Sequence, residues 1–231
     1  MFFLMKLKNF KHNTILSKTY GSAFSFSKTF IWVKAVPYFS SVEGTRSLPY
    51  QSAYSAAKHG VEGFIEAMRL ELQHEKLPIS VTSVKPGVIN SPFWNNGRTK
   101  LGVKPAGIPP YYEPKLVADA ILHVAEHPTR DYLVGDVAKI LDLLQRISPP
   151  LVDSLLLLIG FKLQHSSEPK SEDASNNFYQ PVAEDDRVNG DYGHLVIPSV
   201  SDWVEKNPVL QWGAIAGTAA LALLVAQVIK D

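Results

Sequence analysis

The sequence predicts an α/β fold on a parallel sheet, and two observations carry that prediction: an amphipathic helix between two strand-like runs, and a second helix and strand after them. The first run is apolar and closes on Phe39-Ser-Ser-Val-Glu-Gly44. The helix begins near Tyr50 and places Val61, Phe64, Ile65, Met68 and Leu72 at helical spacing, with Glu62, Glu66 and Arg69 on the other side. Next, Ile79-Ser-Val-Thr-Ser-Val84 is rich in β-branched residues and too short for a helix, and Lys85-Pro-Gly87 turns the chain out of it. Strand, helix and strand in that order form the βαβ unit of a parallel sheet. Downstream, Glu113 to Glu126 has the apolar spacing of another helix, and Asp131 to Ile140 leads into a last strand and helix. The stretch between, Pro92 to Tyr112, is rich in Gly, Pro and Asn and reads as a mobile loop.

Chemistry concentrates at Tyr54-Ser-Ala-Ala-Lys58. Residues four apart share a helix face. A phenol alone is a poor acid or base at neutral pH, and an ammonium beside it favours the phenolate, so the pair can pass a proton to or from a substrate oxygen. Ser41 supplies a further hydroxyl thirteen residues before Tyr54. By itself a Tyr-x-x-x-Lys pattern is a weak signal, and a Pro-Gly turn is an ordinary strand exit.

Taken together, Ser41, Tyr54, Lys58 and the run Val81-Thr-Ser-Val-Lys-Pro-Gly-Val-Ile-Asn-Ser91 resemble the catalytic half of the short-chain dehydrogenase/reductase family. The resemblance extends from about Phe39 to Leu163. It implies a partial Rossmann-like, doubly wound parallel sheet without its N-terminal strands, and NAD(P)-dependent interconversion of an alcohol and a carbonyl. On that resemblance Tyr54 is the general acid/base, Lys58 lowers its pKa and bonds the nicotinamide ribose, and Ser41 holds the substrate oxygen. Pro86 and Gly87 pass over the nicotinamide ring of NAD or NADP, while Ile89 and Ser91 fall at its carboxamide, Ser91 replacing the usual threonine. Phe93, Trp94, Tyr111 and Tyr112 make the loop aromatic, which favours a bulky apolar substrate, or else they anchor the loop by packing.

The family's glycine-rich pyrophosphate turn has no counterpart here. Residues 1–38 hold one glycine, Gly21, no Asp or Glu, and six lysines. This atypical basic segment reads as a truncated or misspliced frame, a targeting segment or a diverged strand. Asn13 lies near the position of the family's fourth catalytic residue, in unmatched surroundings. A sheet without its first strands is expected to expose an apolar edge. The alternative to an enzyme is therefore a truncated chain or pseudoenzyme unable to bind dinucleotide, acting at most as a membrane-tethered binding protein.

The rest of the chain is less specific. A net charge of +1 offers no nucleic-acid footprint, and the absence of cysteine removes disulfides and thiolate metal sites. His123 and His127 are four apart on a predicted helix, a spacing that suits a metal but more often marks a solvated face. His59 is expected to point away from the Tyr54 and Lys58 pair. After Pro149-Pro150, the apolar Leu151 to Phe161 either packs beside the pocket or lies along a membrane surface. Residues 164–200 read as a polar acidic linker. Within the last segment, 201–231, Val209 to Ile229 carries no charge and is long enough to span a bilayer, with Trp203 and Trp212 on its amino side. This predicts a C-terminal hydrophobic helix acting as a tail anchor, with the catalytic portion in the cytosol. Gly213 and Gly217 would allow a homodimer contact within the membrane.

Overall fold

The computed structural model describes residues 35–205 and Asn207. Three parallel strands form the main sheet in the order β1 (Ala35–Phe39), β2 (Ser80–Pro86), β4 (Asp131–Val134). Helix α1 (Ser52–His74) links β1 to β2, and α3 (Pro114–Glu126) links β2 to β4. This is the α/β class with a parallel sheet that the sequence predicts. The register pairs Val36 with Val81 and Phe39 with Val84, then Ser83 with Asp131 and Pro86 with Val134. Pro37 is tolerated in β1 because β1 is an edge strand among the described residues, where one side needs no ladder donor.

Side chains alternate along β2, so its two faces meet different helices. Val81, Ser83 and Lys85 face α1, where Val81 packs with Ile65, Met68 and Leu72. Val84 lies on the opposite face with Val117, Ala120 and Val124 of α3 and with Tyr132 and Val134 of β4. The two helices therefore cover opposite sides of the sheet, as in a doubly wound layer arrangement. Helix α1 ends in a Schellman motif: Lys76 takes the left-handed conformation at φ 53°, its N–H donates to Gln73 O, and Leu77 N–H donates to Leu72 O at 3.0 Å.

A second layer closes over the C-terminal ends of the strands. After β2 come α2 (Phe93–Asn96) and β3 (Val103–Pro105), and after β4 comes α4 (Asp136–Ile147). Helix α5 (Pro149–Leu155) continues through a π-turn at Leu156–Gly160 into α6 (Phe161–Leu163). Strand β5 (His165–Pro169) pairs antiparallel with β3, and α7 (Val200–Glu205) is the last described helix. In the apolar stretch expected either to pack or to lie on a membrane, Val152 and Leu156 bury against Leu48 and Leu144, while Leu157 and Leu158 are exposed.

Residues 164–200 differ from a free acidic linker. Their acids find bases on the segment after α2: Asp191 pairs with Lys104 at 2.6 Å, Glu168 with Lys104 at 3.2 Å, and Glu172 with Arg98 at 2.9 Å. Asn90 fastens the same strap, accepting from Tyr192 N–H through its side chain and from Gly190 N–H through its carbonyl. At its end, Asp136 accepts from the N–H groups of Val200 and Ser201, and the buried Asp202 accepts from Gly135 N–H at 2.7 Å.

The expected tail anchor and its cytosolic orientation are corrected here. Among the described residues no helix is long and apolar enough to cross a membrane. Val209 to Ile229, the Gly213 and Gly217 pair within it, and Asn13 lie outside the described residues.

Candidate active site

Ser41, Tyr54 and Lys58 converge at the carboxyl end of β1, the end of an open parallel sheet where ligands bind. The chain leaves β1 with Ser40 N–H donating to Val84 O at 2.8 Å, and Ser41 then caps a short 3-10 turn, Val42–Gly44. Gly44 is required there: a Cβ would meet Glu62 Cγ at 2.9 Å and the carbonyl oxygen of Lys58 at 3.2 Å. That close approach presses the turn onto α1 beside the reactive pair.

The Ser41 hydroxyl accepts from Glu43 N–H at 3.1 Å and lies close enough to the Tyr54 phenol to favour its ionised form. Lys58 Nζ lies 5.6 Å from the centre of the Tyr54 ring and 5.1 Å from that of Phe39, and donates to Phe39 O at 3.4 Å. The ammonium thus stands over the ring face. Burial pushes the Tyr54 phenol above its ordinary value; the Ser41 hydrogen bond pulls it back, and the Glu43 carboxylate pushes it further up. Against the depression expected from Lys58, whose ammonium sits over the ring face, burial and the Glu43 carboxylate leave the resting phenol raised. Burial lowers Lys58 itself, and Glu43 and Glu62 hold it up.

Glu43 is the residue the sequence reading did not single out. It is buried, and its Oε2 accepts from Ser55 Oγ at 2.8 Å. Burial raises its pKa to about 7, against the lowering effects of Ser55 and Lys58. A glutamate inside an otherwise apolar and small strand exit was the available signal.

Pro86 and Gly87 stand at the end of β2, adjacent in the sheet to the end of β1. Gly87 N–H donates to Val134 O at 3.0 Å, and a Cβ at Gly87 would reach the Ala138 Cβ at 3.4 Å, so backbone and α4 meet closely there. Ile89 bridges to Tyr112 and accepts from Trp94 Nε1 at 3.1 Å, and Ser91 N–H donates to Ile89 O. No hydrogen bond joins Pro86, Gly87, Ile89 or Ser91 to Ser41, Tyr54 or Lys58; Phe93 reaches across instead, its ring centre 5.6 Å from that of Tyr54.

The aromatic loop is more fixed than its composition implies. Tyr111 is fully buried, stacks on Tyr192 at 4.8 Å, and its hydroxyl accepts from Gly107 N–H at 2.6 Å. Tyr112 is also buried, and its hydroxyl accepts from Val137 N–H at 3.1 Å. Its ring fills the space over Gly135 (φ 94°), where a Cβ would come within 2.5 Å. These two tyrosines and Trp94 are packing anchors, which leaves Phe93 as the half-exposed aromatic facing Tyr54. Elsewhere, His123 and His127 stack at 4.8 Å, and among the described residues no three His, Asp or Glu side chains converge as metal ligands. His59 Nδ1 lies 2.9 Å from Ser55 O, on its own helix.

The family model described as short chain dehydrogenase matches residues 38–102, the span from β1 through the loop that follows α2. The Uncharacterized oxidoreductase YxnA of Bacillus subtilis is 32% identical over 183 residues, 79% of this chain and 51% of that protein. The Dehydrogenase/reductase SDR family member 7B of Bos taurus is 34% identical over 102 residues, 42% of this chain and 30% of that protein. A solved short chain dehydrogenase of Burkholderia cenocepacia, in complex with NADP, is 22% identical, covers 53% of this chain and 47% of its own, and has a TM-score of 0.44. The chain spans about half the length of the Bacillus relative. With a parallel sheet, a Tyr-x-x-x-Lys helix beside a strand-end serine, and these sequence matches, the chain belongs to the short-chain dehydrogenase/reductase family.

Proposed function

We propose that this oxidoreductase chain manages the proton in NAD(P)-linked interconversion of an apolar alcohol and its carbonyl compound. The observation that carries the reading is the meeting of Ser41, Tyr54 and Lys58 at the strand ends. In the reductive direction the Ser41 hydroxyl donates to the substrate oxygen and Tyr54 passes its proton to the same atom; in the oxidative direction the phenolate takes it back. The Lys58 ammonium, over the Tyr54 ring, is placed to offset the negative charge that develops on the phenol oxygen. Phe93 provides an apolar wall beside Tyr54, suited to an apolar substrate.

The described residues fit one end of a nicotinamide cofactor. Lys58 has donors to spare beyond Phe39 O, and Pro86 and Gly87 stand at the end of β2 beside the end of β1 that carries Ser41. Ile89 and Ser91 follow as the carboxamide side. The cofactor, when bound, supplies or accepts the hydride. No glycine-rich turn for a pyrophosphate occurs among residues 35–205. Thermal unfolding of the full chain with NADH or NADPH at a hundred times the dissociation constant tests the reading, with an expected gain of about 2.7 kcal/mol. An unchanged transition with both nucleotides contradicts it.

A further inference from the structure

We infer that Glu43 is a positioning residue for this site, its backbone fixing the Ser41 hydroxyl and its carboxyl group fixing the first turn of α1 through Ser55. The inference rests on the proton-relay reading of Ser41, Tyr54 and Lys58 and adds a fourth group to it.

Three contacts carry it. Glu43 N–H donates to Ser41 Oγ at 3.1 Å, so one lone pair of that oxygen is occupied while the hydroxyl stands beside Tyr54, whose pKa it lowers. Glu43 Oε2 accepts from Ser55 Oγ at 2.8 Å, and Ser55 directly follows Tyr54 in a helix whose Gln51 side chain turns to Gln164 and makes no capping bond. The turn that presents Glu43 is itself clamped on α1 at Gly44. One residue therefore links the substrate-holding hydroxyl, through its backbone, to the helix turn bearing the acid/base, through its side chain.

Its charge matters as well as its shape. Among the described residues Glu43 has no ion pair, whereas Glu62, the other acid near Lys58, is engaged by Ser83 and Lys85. The charged and titratable groups around Glu43 are Tyr54, Lys58 and Glu62 of α1, with Lys85 of β2 behind Glu62 and His59 behind Ser55. Ionised, Glu43 supports the Lys58 ammonium and opposes a Tyr54 phenolate; protonated, it does neither. Burial places that change at about pH 7, so the relay is tuned across neutrality by a carboxyl group whose hydrogen bond goes to Ser55.

The test follows the Tyr54 ring carbons by NMR through a pH titration of the full chain, with the resonance assigned by its loss in Tyr54→Phe. An inflection near pH 7 is expected in the wild type, lost in Glu43→Gln, which keeps the size and the Ser55 bond, and moved to higher pH in Ser55→Ala, because that hydrogen bond favours the carboxylate. With a carbonyl substrate, Glu43→Gln is expected to lose the same inflection from the pH profile of kcat/KM, while Glu43→Asp retains one. A Tyr54 resonance that shows no neutral inflection, or keeps it in Glu43→Gln, overturns the inference. The NMR readout needs neither nucleotide nor turnover, so absent activity with an intact, Glu43-dependent inflection would sink the oxidoreductase reading and leave the positioning role standing.

Discussion

The two faces of β2 hold their helices by opposite means. Toward α3 the contact is dry: Val84 packs among Val117, Ala120, Val124 and Val134, and Thr82 hides its hydroxyl by donating to Thr129 O. Toward α1 the contact is apolar only at Val81, and then becomes ionic. Ser83 Oγ donates to Glu62 at 2.6 Å, Lys85 Nζ sits 3.1 Å from Glu62 and 3.2 Å from Asp131, and Arg69 donates to Val81 O at 3.0 Å and reaches Asp131 at 3.6 Å. Dispersion and burial are non-directional and tolerate small shifts, whereas these bonds fix the height and rotation of α1 on the sheet. The helix held by directional bonds is the one that carries Tyr54 and Lys58. A site whose atoms must meet within tenths of an ångström rests on the side of the sheet that specifies position.

The largest effect expected on breaking this contrast is at Lys85. Lys85→Met removes the shared cation from Glu62 and Asp131 and is expected to cost about 3 kcal/mol, the low end for a broken buried pair because Asp131 is partly exposed. Adding Glu62→Gln should return much of that loss, as read by urea unfolding of the single and double variants. On the dry face, Val84→Ala should cost about 2 kcal/mol through lost burial and the cavity left behind, with no dependence on added salt. Equal salt sensitivity of the two variants would erase the distinction between the faces. The smallest effect lies on the strap, where the half-exposed Asp191 meets Lys104 and Arg187. Hydrogen bonds from Lys104, Asn95 and Arg187 hold its carboxyl down at about 2, below the ordinary 3.8. Its contribution is therefore complete above pH 3.8 and fades as pH falls through about 2. Asp191→Asn should cost less than about 1 kcal/mol at neutral pH and nothing at the acid end of that window, measured by thermal unfolding.

Much of the β1 to β4 core was legible because its signals are local. The period of α1, the β-branched run of β2 and the Pro86-Gly87 exit each lie within one short window, and Ser41, Tyr54 and Lys58 are tied by a single turn and one helix. What escaped depends on partners far along the chain. Glu43 acquires its meaning from Ser55, twelve residues away across a turn whose tightness is set by Gly44. The acids of 168–191 look solvated until Arg98 and Lys104 are brought opposite them, 74 and 87 residues distant. Tyr111 and Tyr112 look like lid residues because loop aromatics carry no periodicity; Tyr192 and the open space above Gly135 are what bury them.

The central claim is that the phenol of Tyr54 passes the proton in this site, and its most direct test is Tyr54→Phe in the full chain. With an apolar aldehyde or ketone and NADH or NADPH, followed by loss of reduced-nicotinamide absorbance, kcat should fall by about 10²–10⁴-fold while the nucleotide-induced rise in unfolding temperature is kept. Turnover at the wild-type rate in Tyr54→Phe would contradict the account.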